Sequence, residues 1–199
     1  MQFENRVLSK EILFALYESG KTLATAESCT SGKVAESITL IPGSSAYFTG
    51  AIVAYSEEVK KNLLKVPEEL IEEKSVVSED VAIRMADGVC ELLGTDYAIA
   101  TTGFAGPGGG TNENPVGTIW IAAGKKGEMR TVKLTENDGR DVNVARATFR
   151  ALQLLLDVLK EDFPMPDQSE VPAPEAKYGF LVGFSSKKNK VARLFVKKY

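Results

Sequence analysis

A serine pair and a lysine are the residues that could perform hydrolysis in this chain, which contains no histidine. Ser44 and Ser45 follow the Pro42-Gly43 break, and Lys60 follows the apolar segment 50–55. A serine hydroxyl needs a neighbouring base before it attacks a carbonyl. A lysine can be that base when burial lowers its pKa from about 10.4 to roughly 7–8. Spacing alone also allows helix-capping serines and a solvated lysine.

Alternating apolar segments predict the elements that position these residues. Five strands are expected at 22–27, 50–55, 97–102, 116–123 and 129–134. Helices are expected at 4–19, 33–39, 67–74 and 78–93, with a last long helix opening at 138–141. Ser56 is the expected N-cap of a further helix, which contains Lys60. This order predicts an α/β fold of three α/β/α layers with a mixed sheet. Segment 50–55 is almost wholly apolar, which predicts a strand covered on both faces.

The composition argues against several classes of protein. The net charge of -3 argues against general nucleic-acid binding, and no apolar run is long enough for a membrane span. Cys29 and Cys90 form neither a disulfide framework nor a zinc site, so we expect a protein of the reducing cytoplasm without a bound metal. With no histidine to activate its thiol, Cys29 is predicted to be a small buried residue.

The glycine-rich loop after Thr102 is the other candidate ligand-binding feature. Its sequence, GFAGPGGGTNENP, leaves many backbone amides open to a ligand. It lacks the spacing of a dinucleotide fingerprint, and the segment 27–33 lacks that of a P-loop. We therefore expect no cofactor.

The composition changes after Phe163 and predicts two further segments. A domain at 1–161 is followed by a proline-rich linker at 162–176 and a basic β-hairpin extension at 177–199. An isolated hairpin is marginal in water, so it is expected to pack on the body, pair with another chain or stay mobile.

A series of ordered motifs resembles the CinA C-terminal domain family, the nicotinamide-nucleotide amidases. The motifs are AESCTSG at 26–32, PGSS at 42–45, Tyr55-Ser56, Lys60, VSE at 77–79, TGFAGPGG at 102–109 and PVGT at 115–118. The resemblance covers about residues 5–160. It implies metal-free hydrolysis of the carboxamide of nicotinamide mononucleotide to nicotinate mononucleotide and ammonia, in pyridine nucleotide recycling.

The resemblance also implies roles for individual residues. Ser45 is the expected nucleophile and Lys60 the base, with Ser28 the alternative nucleophile. Other functional positions of the family are matched by Ser28 and Tyr55, expected at the catalytic centre, and by Thr102 and Arg140, expected to bind substrate. Thr30, Gly103 and Gly106 are also expected to bind substrate. Arg140 is the choice for the phosphate. A homo-oligomer is expected.

A second hypothesis is a non-catalytic nucleotide-binding or interaction module of the same family. It draws on Val144, which stands where the family often has arginine, and on the added C-terminal tail. Asn114, where lysine is usual, is a further departure that reduces the charge available to a substrate phosphate.

Overall fold

A computed structural model describes residues 2–164, which form a five-stranded sheet between two helical layers. The helices are α1 (Gln2–Ser19), α2 (Lys33–Thr39), α3 (Glu57–Asn62), α4 (Glu68–Lys74), α5 (Glu79–Leu93) and α6 (Arg140–Asp162). The strands are β1 (Leu23–Glu27), β2 (Phe48–Val53), β3 (Tyr97–Gly103), β4 (Ile119–Lys125) and β5 (Glu128–Leu134). A 3-10 turn, Ser44–Ala46, precedes β2.

The sheet is mixed, as predicted. Its strand order is β2-β1-β3-β4-β5, with β2, β1 and β3 parallel and β4 and β5 joined as an antiparallel hairpin. One apolar core lies under α1, α2 and α6, and the other lies under α5. The three-layer α/β/α fold is therefore confirmed for the described part of the chain.

Serine residues in the local sequence explain where α3 and α5 begin. The Ser56 hydroxyl accepts a hydrogen bond from Val59 N at 3.3 Å, and the Ser78 hydroxyl accepts one from Val81 N at 3.3 Å. These are N-caps, which satisfy backbone donors that the first helical turn leaves unpaired. Helix α3 therefore begins just after β2, and Lys60 within this helix lies near the carboxyl end of that strand.

The prediction that segment 50–55 is covered on both faces is wrong. Strand β2 lies at the edge of the sheet, paired only with β1. Alternate residues of β2, Thr49, Ala51 and Val53, are exposed, and Val53 is 47% exposed. The apolar segment is therefore an edge strand with one exposed face.

Asp162 is the last residue of α6. Its carboxylate accepts hydrogen bonds from the Tyr97 hydroxyl and the Lys125 ammonium, both at 2.7 Å.

The predicted linker beyond residue 164 and the hairpin at 177–199 lie outside the described residues. Within 2–164, no helix has both the length and the apolar character needed to cross a membrane.

Candidate active site

Three predicted site residues meet at the carboxyl edge of the parallel strands. Ser28 follows β1, Tyr55 follows β2, and Thr102 lies near the end of β3. Because parallel strands end on the same edge, residues distant in sequence converge there. All three line a cavity of about 240 Å³.

Lys60 is the most unusual side chain of this cavity because it is only 2% exposed. Its Nζ donates to Ser28 Oγ at 3.1 Å and to the Ala54 carbonyl oxygen at 2.8 Å. Burial lowers the pKa of Lys60, while neighbouring Cys29 and Glu57 act in the opposite direction. The buried lysine predicted from sequence is present, and its hydroxyl partner is Ser28.

The predicted contact between Ser45 and Lys60 within one chain is wrong. Ser45 lies in the 3-10 turn before β2, whereas Lys60 lies beyond the carboxyl end of that strand. A strand of this length spans roughly 20 Å. Ser45 is exposed and is not among the residues that line the cavity around Lys60. Proximity in sequence misled here because β2 runs between the two residues.

The cavity combines a polar floor with apolar walls. Its polar or charged lining groups come from Ser28, Tyr55, Glu57, Lys60, Thr102 and Arg140. The other lining residues are Cys29, Val76, Val77, Gly103, Phe104 and Ala105. Apolar walls with a few polar groups are typical of small-molecule sites. They also maintain the low-polarity surroundings that disfavour a charged Lys60.

Arg140 joins two loops at the mouth of the cavity. Its Nη1 donates to the Gly106 carbonyl oxygen at 2.7 Å, and its Nη2 donates to the Tyr55 hydroxyl at 3.3 Å. Arg140 is exposed at the start of α6, and Tyr55 is 61% exposed. Both contacts use neutral partners, so the guanidinium charge remains available to an anion. Sequence reasoning placed Tyr55 inside the pocket, and the structure places it at the rim.

The hydroxyl groups of the two threonines predicted to bind substrate already make hydrogen bonds within the protein. Thr102 Oγ1 donates to the Val76 carbonyl oxygen at 2.8 Å, so at the cavity wall its hydroxyl is left as an acceptor. Thr30 is fully buried, and its hydroxyl lies 2.7 Å from Glu27 Oε2 and 2.8 Å from Thr101 Oγ1. Thr30 also lines a second cavity, and the hydrogen bonds of its hydroxyl to Glu27 and Thr101 shape the loop after β1.

The two predicted glycines also differ in role. A Cβ on Gly103 would lie 2.6 Å from Ile119 Cγ1 and 2.7 Å from the Thr118 carbonyl oxygen. Gly103 therefore lets β3 and β4 approach closely beside the cavity. Gly106 has a φ of 97°, and its carbonyl holds Arg140. Neither position tolerates a larger side chain without a local shift.

Sequence reasoning missed the role of Glu27, whose side chain is fully buried. Its Oε2 accepts hydrogen bonds from the Thr30 hydroxyl and the Gly32 and Val34 amides, at 2.7, 2.9 and 3.1 Å. Its Oε1 accepts from Ala35 N at 2.8 Å. The signal in the sequence was an acidic residue at the end of an apolar strand, directly before a helix start. Glu27 thereby shapes the turn that begins with Ser28.

A second cavity of about 420 Å³ lies between α2 and α6 and shares Cys29 and Arg140 with the first. Val144 lines it, together with the charged residues Lys33, Glu36 and Asp141. Arg140 therefore borders both spaces. At position 144, where the family often has a cationic residue, this cavity is lined by the apolar side chain of Val144.

Cys29 lies beside Ser28 and lines both cavities. It is 5% exposed, and burial raises the pKa of its thiol to about 12. The thiolate is the nucleophilic form of cysteine, so this side chain is unreactive near neutral pH. The hydroxyl of Ser28 is thus the nucleophile candidate that has a base beside it.

Comparisons with known proteins identify the family of this chain. The sequence model described as the CinA C-terminal domain matches residues 5–159. A CinA-like protein of Geotalea uraniireducens is 57% identical over 138 residues, which are 69% of this chain and 33% of that protein. A CinA-like protein of Parasynechococcus marenigrum is 45% identical over 150 residues, covering 74% of this chain and 36% of that protein. The chain thus spans about a third of the length of these relatives.

Solved structures show the same fold. The competence damage-inducible protein A of Klebsiella pneumoniae superposes with a TM-score of 0.75 at 35% identity, covering 78% of this chain and 96% of that one. The competence/damage inducible protein of Agrobacterium tumefaciens gives a TM-score of 0.75 at 31% identity, over 78% and 95% of the two chains. With a family match across most of its length and relatives of this identity, the chain belongs to the CinA C-terminal domain family.

Proposed function

We propose that this chain is an amidohydrolase that converts nicotinamide mononucleotide to nicotinate mononucleotide and ammonia, with Ser28 as nucleophile and Lys60 as base. The observation that carries the proposal is the 3.1 Å contact between Lys60 Nζ and Ser28 Oγ in a buried pocket. Together they supply what serine-dependent hydrolysis requires without an imidazole: a hydroxyl beside an amine whose charged form is disfavoured.

The Ser28–Lys60 contact changes direction with the protonation state of the amine. Charged Lys60 donates to Ser28 Oγ, whereas neutral Lys60 accepts the Ser28 proton while still donating to the Ala54 carbonyl oxygen. Ser28 Oγ then bonds to the carboxamide carbon, and its proton moves to Lys60. The resulting ammonium returns that proton to the departing nitrogen as the C–N bond breaks, which releases ammonia and leaves an ester on Ser28.

Water completes the reaction by the same route. Lys60 accepts a proton from water as the water oxygen bonds to the ester carbon. The bond between Ser28 and the acyl group breaks, and Lys60 returns the proton to Ser28 Oγ. The products are the pyridine carboxylate and the free enzyme, so one amine serves as base and acid in both halves.

The oxyanion formed in each half needs hydrogen-bond donors that are already in position. We assign this role to the backbone N–H groups of Cys29 and Ala105, because both residues line the cavity. The Phe104 N–H is excluded because it donates to the Thr118 carbonyl oxygen at 2.8 Å. The Ser44–Ser45 amides of the same chain are excluded by their position at the amino end of β2.

The substrate phosphate is assigned to Arg140. The planar guanidinium can bind a phosphate through two parallel N–H donors, in place of the neutral oxygens of Gly106 and Tyr55. Its position at the rim of the cavity suits a substrate whose carboxamide points inward to Ser28 and whose phosphate points outward. A charged group thus binds the charged end, and the buried part of the pocket takes the aromatic ring.

The test is ammonia release from nicotinamide mononucleotide by the purified protein. We expect Ser28→Ala to lose turnover and Cys29→Ala, a matched change at the adjacent residue, to keep it. Mass spectrometry of acid-quenched enzyme is expected to find the nicotinoyl ester on a peptide containing Ser28. Full turnover by Ser28→Ala, or an adduct on another residue, would overturn the assignment. A non-catalytic module would instead bind the mononucleotide without releasing ammonia.

A further inference from the structure

Of the described residues that line the cavity around Lys60, Glu57 on α3 is the one that carries a carboxylate. Glu57 and Lys60 are three positions apart, and residues at this spacing lie on the same face of a helix. Lys60 is buried against Ser28, whereas Glu57 is exposed. This helix face therefore runs from the floor of the cavity to its mouth, and Glu57 lies beside the outer part of any ligand whose reacting group touches Ser28.

No neighbouring group engages the Glu57 carboxylate. In the described part of the chain it takes part in no hydrogen bond or ion pair, and it acts on Lys60 and Lys61 only through Coulomb attraction. Lys61 is held instead by Glu68, at 2.6 Å. Arg140 lines the same cavity but donates to neutral oxygens. A negative and a positive side chain thus face one cavity without neutralising each other.

A place in the first turn of a helix does not by itself account for Glu57. Acidic residues are favourable in a first turn because of the helix dipole, and Glu58 supplies the same charge at the next position. Glu58 is also exposed, but it is not among the residues that line the cavity. The two residues differ in what they face, so Glu58 is the matched control for Glu57.

We propose that Glu57 selects substrates whose carboxamide is carried on a cationic ring, a pyridinium rather than a neutral pyridine or benzene ring. The inference rests on the proposed function, which places the carboxamide at Ser28 and the phosphate at Arg140. The ring then lies between these two groups, beside Glu57. In a pyridine mononucleotide the charged nitrogen bears the sugar, so the positive charge lies on the outer side of the ring, towards Glu57.

The charges of such a ligand match those of the cavity. A cationic ring meets the Glu57 carboxylate, and an anionic phosphate meets the Arg140 guanidinium. The apolar residues of the lining exclude water and so strengthen both attractions. A neutral ring would gain nothing from Glu57, and complementary charges of this kind provide specificity.

The same carboxylate affects the base. Burial lowers the pKa of Lys60, and Cys29 and Glu57 raise it. Arg140 and Tyr55 are the other ionisable groups that line the cavity. A bound cationic ring offsets the negative charge of Glu57, which favours the neutral amine. The ring charge and the proton on Lys60 therefore oppose each other, so a cationic substrate promotes the form of Lys60 that can accept a proton.

Two ligands that differ only in ring charge test the selection. They are nicotinamide mononucleotide and the matching nucleotide of benzamide, in which carbon replaces the charged nitrogen. Calorimetry with Ser28→Ala, which keeps the ligands intact, is expected to show at least about threefold tighter binding of the charged ring. Adding Glu57→Gln should lower the ratio of the two affinities at least about threefold, and adding Glu58→Gln should leave it unchanged. Phosphate contacts are common to both ligands and cancel in the ratio.

Salt dependence provides a second readout of the same ratio. Because Glu57 is exposed, raising the salt concentration from about 0.02 M to about 0.5 M should weaken the preference of Ser28→Ala for the charged ring. The ratio for the variant that also carries Glu57→Gln should not change with salt. Equal affinities of Ser28→Ala for the two ligands would overturn the inference. A ratio that Glu57→Gln leaves intact, or that Glu58→Gln lowers equally, would overturn it too.

The pH dependence of kcat/KM tests the effect on the base. This parameter reports ionisations of the free enzyme, in which Glu57 raises the pKa of Lys60. Glu57→Gln should therefore shift the rise of kcat/KM to lower pH, and Glu58→Gln should not. An unshifted profile for Glu57→Gln would overturn the coupling between ring charge and base.

The two measurements separate the inference from the proposed function. If the wild-type protein releases no ammonia and Glu57 still sets the affinity ratio, the proposed function is overturned and the selection of a cationic ring is supported. If ammonia is released and Glu57→Gln leaves the ratio unchanged, the selection is overturned and the proposed function is supported.

Discussion

Replacing Lys60 by Met tests whether a buried, neutral amine is the base. Met has a similar length and no titratable group, so it fills the space of a side chain that is 2% exposed. Removing a general base typically costs 10²–10⁴-fold, about 3–5 kcal/mol of barrier. We therefore expect ammonia release to fall at least about a hundredfold. Lys61→Met, at the next position on α3, removes a partly exposed lysine that is paired with Glu68 and should keep activity.

Stability as a function of pH measures the electrostatics independently of activity. Burial places the folded-state pKa of Lys60 below its ordinary value of 10.5. Between those two values the unfolded chain binds a proton that the folded chain does not, so stability rises with pH. Relative to Lys60→Met, the wild type should gain about 1.4 kcal/mol for each unit of that pKa difference as pH rises to 10.5.

Urea unfolding from pH 7 to pH 10 provides this comparison. The carbonyl of Ala54 loses its lysine partner in Lys60→Met, but that loss is independent of pH and leaves the slope unchanged. The Lys61→Met control should run parallel to the wild type, because Glu68 raises the pKa of Lys61 and moves its titration above this range. Parallel curves for wild type and Lys60→Met, together with retained turnover, would refute the base assignment.

Three further substitutions test the rim, the turn and the packing behind the site. Arg140→Ala should raise KM for nicotinamide mononucleotide at least about tenfold and leave turnover of a pyridine carboxamide without phosphate unchanged, because one charge-assisted contact contributes about 1.5–3 kcal/mol; equal losses with both substrates would contradict phosphate binding. Glu27→Gln should lower the free energy of unfolding by at least about 2 kcal/mol, because its amide NH₂ would face backbone N–H donors; an unchanged urea midpoint would show that the carboxylate is not needed. Gly88→Ala should destabilise by more than about 1 kcal/mol, although alanine favours helices, because its Cβ would lie 2.0 Å from the Leu64 carbonyl oxygen. Gly108→Ala is its control, since a Cβ there meets nothing within 4 Å, and equal midpoints for the two variants would contradict this packing argument.

Patterns local in sequence determined most of the fold. Apolar segments predicted five strands, and the capping serines Ser56 and Ser78 predicted where α3 and α5 begin. These features act over a few residues, so no knowledge of distant contacts was needed. The sequence also made Lys60 a candidate buried amine, because an apolar strand precedes it and no histidine is available, although spacing alone equally allowed a solvated lysine.

Only the tertiary structure decided which hydroxyl Lys60 meets. Ser45 is the serine nearer in sequence, yet β2 separates it from Lys60, whereas the parallel pairing of β1 and β2 brings Ser28 to the same edge. The sequence also did not reveal that β2 lies at the edge of the sheet, because an apolar segment can form either an edge strand or a central strand. Strand order depends on contacts between distant segments, and spacing along the chain does not record them.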